Sequence, residues 1–107
     1  MQNKTKISVA LLAASAAFFV NLESKEGNEP VPYKDTGGVV TQGIGSTTKP
    51  DGTKIKMTDP PISRKTALEW AKAHVAKDEI PFRKSLQGVK LSQVEYDVYL
   101  DFTYNFG

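Results

Sequence analysis

The sequence predicts an α+β domain in which helices flank a small antiparallel sheet of about three strands, with a targeting segment in front. Three observations carry this. A charge-free apolar run follows two lysines near the start, glycines and prolines punctuate residues 27–61, and helical spacing of apolar residues returns after Pro60-Pro61.

At 107 residues the chain holds at most one small domain. A formal net charge of +2 is too small to imply a nucleic-acid partner. The absence of cysteine excludes disulfide frameworks, thiolate metal sites and Cys nucleophiles. With His74 as the single histidine, a His-rich metal site or a Ser-His-Asp triad is out of reach. Acid–base chemistry would therefore fall to carboxylates.

The elements follow in order. Lys4 and Lys6 precede Ile7 to Val20, fourteen residues without a charge. That length suits a secretory apolar region and falls short of the roughly 20 residues a membrane span prefers. Ala14-Ser15-Ala16 has the small-x-small form of a cleavage site. Residues 1–22 are thus expected to be an export signal or signal-anchor, and a segment that only targets could be removed without loss of activity. Phe18, Phe19, Leu22 and Glu26 keep a helical period, which Gly27 ends. Pro30 and Pro32 force extended chain. Strands are expected around Tyr33–Asp35 and Val39–Gln42, joined by Gly37-Gly38, and a third over Thr53–Met57 after the Asp51-Gly52 turn. Gly43 and Gly45 flank Ile44 and suggest close backbone approach.

Ser63 is the expected N-cap of a helix that runs to about Ile80, before Pro81. Leu68, Ala71 and Val75 form its apolar stripe, and Trp70 and His74 fall on a neighbouring line suited to partly buried packing. Ser92-Gln93-Val94-Glu95 has the form of a capping box and opens a last helix to Asn105 or Phe106. On that helix Val94, Val98, Tyr99, Phe102 and Phe106 make one apolar stripe. Tyr96, Leu100 and Tyr104 make a second on roughly the opposite side.

Most of the twelve acidic residues read as surface charge, among them Asp78, Glu79, Asp97 and Asp101. Glu26 and Asp35 differ in setting, one ending a helix that leaves an apolar segment, the other at a glycine-rich hairpin. Two carboxylates in unlike environments are what glycoside hydrolysis requires, one to donate a proton and one to stay ionised.

The stretch EGNEPVPYKDTGGVVTQGIGST sets Glu26, eight residues, Asp35, five residues, then Thr41. This arrangement resembles the phage-type lysozymes (endolysins), a family of glycoside hydrolases. The resemblance extends through the Ser63 helix into VKLSQVEYDVYLDFTYNFG and covers about Phe18 to Gly107. The weak apolar run at the start is similar to that of signal-anchor-release endolysins. In this chain Ser46 stands where many members have His. The family also continues with further helices beyond the position of Gly107.

The resemblance implies a lysozyme-like fold, with residues 23–107 as a catalytic domain incomplete at its C-terminus. It implies Glu26 as general acid, Asp35 as the carboxylate that stabilises an oxocarbenium-like transition state, and Thr41 as the residue that positions the attacking water. The implied substrate is peptidoglycan, cut at the β-1,4 bond between N-acetylmuramic acid and N-acetylglucosamine, with no metal or organic cofactor. An exported monomer is expected, in the periplasm or anchored to the inner membrane through its N-terminal segment. Two other readings stand beside this one: a lytic transglycosylase, and a truncated inactive remnant that binds wall glycan. If the last helix lacks its usual cover, Tyr96, Leu100 and Tyr104 are expected to be exposed.

Overall fold

A computed structural model describes residues 5–106. Lys4 and Gly107, named in the sequence expectations, and the side chain of Phe106 lie outside the described residues. The chain divides into two compact units, Phe19–His74 and a second formed by residues 5–18 with 75–106.

Unit Phe19–His74 holds most of α1 (Ala16–Glu26), β2 (Glu29–Lys34), β3 (Val40–Gly43) and the first half of α2 (Arg64–Ser85). Helix α1 stops where the sequence placed its end. Gly27 takes φ 75°, and its N–H donates to Glu23 O at 2.8 Å. β2 and β3 are antiparallel, with Tyr33 opposite Thr41 and Lys34 opposite Val40. Their turn closes through Asp35 and Val39, with Gly38 at φ 80°. Ladder register shifts between Glu29, opposite Gly43, and Tyr33, opposite Thr41. Three residues of β2 therefore face Gln42 alone.

The α+β class stands, while the expected third strand does not. Residues 53–57 supply one isolated bridge, Thr48 to Lys54, rather than a strand over Thr53–Met57. The Lys49–Gly52 turn does close, but Lys56 N–H turns aside to Asp59 Oδ2 at 2.9 Å, which ends the pairing. Ile55 is nevertheless buried, along with Phe19, Leu22, Ile44, Ala67 and Ala71. Ser63 caps α2 by accepting Thr66 N–H at 3.0 Å. Trp70 and His74 are half-buried as expected, and His74 Nε2 lies 2.8 Å from Thr48 O.

The other unit opens with β1 (Ile7–Ser8), paired antiparallel to β4 (Lys90–Leu91), followed by a 3-10 turn at Val9–Leu11. Val9 and Leu12 are buried, so the expected targeting segment folds back into this unit. Side chains of α2 and α3 (Gln93–Phe106) bind its backbone directly. Glu79 Oε2 accepts Ala14 N–H at 3.1 Å, Gln93 Nε2 donates to Ala13 O at 2.9 Å, and Asp97 Oδ1 accepts Ser15 N–H at 3.2 Å. Ser15 Oγ also donates to Asp97 and caps α1 by accepting Phe18 N–H. Among the described residues no helix is long and apolar enough to cross a membrane.

Three expectations are corrected in this unit. Helix α2 runs through Pro81 to Ser85 instead of stopping near Ile80. The lost N–H bond is outweighed by the contacts of the next two residues. Phe82 is buried edge-on against Tyr96, centroids 5.2 Å apart, and Arg83 pairs with Glu79 at 3.0 Å. Glu79, read as surface charge, is 5% exposed. It is tolerated because Tyr96 Oη, Arg83 Nη1 and Ala14 N–H all donate to Oε2. Finally, the stripe of Tyr96, Leu100 and Tyr104, expected to be exposed, is the inward one. Tyr96 and Leu100 are fully buried and Tyr104 is half-buried, set edge-on to Phe18 at 6.5 Å. Val94, Val98, Tyr99 and Phe102 face solvent instead, Phe102 at 65% exposure. The capping box forms as read: Glu95 N–H donates to Ser92 Oγ, and Ser92 N–H donates to Glu95 Oε1.

Candidate active site

Glu26, Asp35 and Thr41 all belong to the unit Phe19–His74. Glu26 is the last residue of α1 and is exposed. Its carboxyl rests against the backbone of Gly45, where a Cβ would lie 2.9 Å from Oε2 and 3.3 Å from Cδ. Gly45 has φ +68°, a conformation L side chains rarely adopt. The positive φ favours glycine there, and a Cβ would also push the Glu26 carboxyl away, which accounts for the second of the two glycines that flank Ile44. Gly43 meets a different constraint, since a Cβ on it would sit 3.1 Å from Ala67 Cβ of α2.

Asp35 lies in the β2–β3 turn. Its Oδ1 accepts Gly37 N–H at 2.8 Å and Val39 N–H at 2.9 Å, which fixes the carboxyl while the residue remains exposed. Thr41 is 4% exposed, and its Oγ1 donates to Val39 O at 3.1 Å. Val39 O also accepts Asp35 N–H at 2.9 Å. One residue therefore ties the positions of Asp35 and Thr41 together. Glu26 meets the turn that follows Thr41, which a pair of bonds between Gln42 and Ser46 closes at 2.9 and 3.0 Å.

Two features of this unit escaped the sequence reading. Arg64, at the start of α2, donates from Nε and Nη2 to the two carboxyl oxygens of Glu23 at 3.0 and 2.8 Å, and Asn28 adds a third bond at 2.8 Å. The Arg64 bonds, then that of Asn28, hold the Glu23 carboxyl below its ordinary pKa. These residues, with Pro30 and Ile62, line an open groove of about 410 Å³. Glu23 and Arg64 are 41 residues apart, a separation over which no local pattern reports. The second feature is Gln42, buried beside Thr41, whose side chain reaches two proline carbonyls. A polar residue within a strand otherwise read as ordinary was its only signal. Among the described residues no cluster of three or more His, Cys, Asp or Glu could hold a metal ion.

The phage lysozyme family pattern matches residues 23–107. The chain belongs to the phage lysozyme family. Its fold is similar to that of the endolysin from Escherichia coli O157:H7 phage FAHEc1, at 27% identity and a TM-score of 0.83. That likeness covers all of this chain and 61% of the endolysin. A mutant of P22 lysozyme is also similar, at 28% identity and a TM-score of 0.76, over 91% of this chain and 65% of that one. The chain thus spans less than two thirds of the length of either solved protein. No curated protein matches it in sequence.

Proposed function

We propose that the chain hydrolyses the β-1,4 bond between N-acetylmuramic acid and N-acetylglucosamine in peptidoglycan, with Glu26, Asp35 and Thr41 as its catalytic residues. The observation that carries the reading is the close seat of Glu26 on Gly45, within the stretch of chain that the phage lysozyme pattern covers. A proton donor must be well placed against the bond it cleaves, and the backbone of Gly45 bounds the Glu26 carboxyl on one side.

In the proposed reaction Glu26 donates its proton to the glycosidic oxygen as the bond to the anomeric carbon breaks. The Asp35 carboxylate, held through Oδ1, faces the positive charge that develops on the sugar. Thr41 Oγ1 spends its hydrogen on Val39 O, so its lone pairs accept from a water that attacks the anomeric carbon. The water's proton passes to Asp35 and, through solvent, back to Glu26.

The protein is proposed to act as a monomer, exported on the uncharged run Ile7 to Val20 and transiently held at the inner membrane. The test is clearing of outer-membrane-permeabilised bacteria by purified protein. Clearing that Glu26→Gln abolishes supports the proposal. Equal clearing by both proteins rejects Glu26 as the acid, and no clearing by either rejects hydrolysis by this chain.

A further inference from the structure

We propose that Gln42 is a positioning residue that sets the spacing between the helix end carrying Glu26 and the strand and turn carrying Thr41 and Gly45. This rests on the proposed lysozyme reading.

The β2–β3 ladder is irregular in its middle. Between the pairs Glu29–Gly43 and Tyr33–Thr41, Pro30, Val31 and Pro32 stand opposite Gln42 alone. Two of those three residues are prolines and cannot donate to a neighbouring strand. The ladder therefore has no regular means of fixing the distance between strands here. The side chain of Gln42 supplies one. Its Nε2 donates to Pro30 O at 2.9 Å and to Pro60 O at 2.9 Å. With two carbonyls as partners, that nitrogen cannot be exchanged for the amide oxygen, so the orientation of the group is fixed. Pro30 O also accepts Ile62 N–H at 2.9 Å. One buried amide thus joins the start of β2, the segment before α2, and the Gln42–Ser46 turn.

Each joined element bears on the candidate site. Pro30 comes four residues after Glu26. The Gln42–Ser46 turn presents Gly45 to the Glu26 carboxyl, and Thr41 immediately precedes Gln42 in β3. A change in the Gln42 bridge would move the wall and the acid relative to each other.

Gln42 does this at a cost in stability. It is fully buried, and among the described residues its Oε1 is the one buried side-chain polar atom without a hydrogen-bond partner. An apolar side chain of the same length would remove that buried acceptor. It would leave Pro30 O with Ile62 N–H, and Pro60 is an exposed residue. The fold would lose little, so the amide is explained by position more than by stability.

The experiment is Gln42→Met, compared with wild type and with Glu26→Gln. Measured are kcat and KM on peptidoglycan, Tm, and the amide resonances of Gly43, Gly45 and Gly52. The expected result is kcat lowered about 10- to 100-fold with KM within twofold and Tm within a few degrees. The Gly43 and Gly45 amides should shift while that of Gly52 stays. Wild-type kcat in Gln42→Met, beside an inactive Glu26→Gln, overturns this inference and leaves the lysozyme reading standing. A variant that unfolds, or loses activity only in step with Tm, shows a structural role and also overturns it. Active Glu26→Gln removes the lysozyme reading and this inference together. If no protein is active, unshifted Gly43 and Gly45 amides overturn the bridge itself.

Discussion

Gly45→Ala probes the seat of Glu26 most sharply, because the structure gives both size and direction. The added Cβ would lie 2.9 Å from Glu26 Oε2, 3.3 Å from Cδ and 3.4 Å from Cγ. Ordinary contact begins near 3.4 Å, so the carboxyl must retreat by about half an ångström. A shift approaching 1 Å in a catalytic group can lower a rate by about 100-fold. Backbone strain comes separately: a non-glycine residue at positive φ is destabilised by roughly 1–2 kcal/mol. Gly52→Ala separates the two effects, since Gly52 has φ +90° but nothing lies within 4 Å of the Cβ it would gain. Both variants should lose a few degrees of Tm in circular dichroism. Only Gly45→Ala should lose clearing activity, by about 10- to 100-fold at a temperature where both are folded. Equal activity in the two variants would show that the wall behind Glu26 does not matter for the reaction.

Other substitutions test the remaining parts of the account. Glu26→Gln should lower the rate about 10²–10⁴-fold with little change in Tm, because an amide cannot donate the proton. Leu100→Ala empties a fully buried position and should destabilise by about 2–5 kcal/mol, read as an earlier midpoint in urea. Deleting residues 1–15 removes buried Val9 and Leu12 and takes Ala14 N–H away from Glu79, so Tm should fall by several degrees or more; an unchanged Tm would mean the segment only targets. The Glu95 carboxyl is held below its ordinary pKa of 4.5 by Ser92 N–H, then by nearby Lys6, and Glu23 is lowered mainly by Arg64. Their folded-state values are depressed, so this stability is present above about pH 4.5 and is lost as pH falls through the lower folded values. Glu95→Gln should flatten the acid limb of Tm against pH. At the alkaline end burial, then Glu79, pushes Tyr96 up to about 12, so stability should fall as pH rises from about 10 through that value.

Local chemistry made much of the fold legible. Gly27, Gly38, Ser63 and the Ser92–Glu95 box mark ends and turns through bonds made within a few residues, and each lies where the sequence puts it. What failed depended on distant partners. Pro81 reads as a stop, and the packing of Phe82 on Tyr96 carries the helix past it. Glu79 reads as solvated because two of its three donors, Ala14 and Tyr96, come from 65 residues before it and 17 after it. The two stripes of α3 are both apolar, and periodicity cannot say which one meets a neighbour; Tyr96 and Leu100 are the buried pair. At the candidate site the acids and Thr41 were visible as a spaced set. The contact that seats Glu26 was visible only as a glycine, and the Gln42 bridge only as a polar residue in a strand.

The central claim is that this chain hydrolyses peptidoglycan with Glu26 as the acid. The most direct test is mass spectrometry of the sugars released from purified peptidoglycan by wild type and by Glu26→Gln. The account predicts fragments ending in a reducing N-acetylmuramic acid with wild type and none above background with Glu26→Gln. Fragments ending in an anhydro sugar, or the same reducing fragments from both proteins, would contradict it.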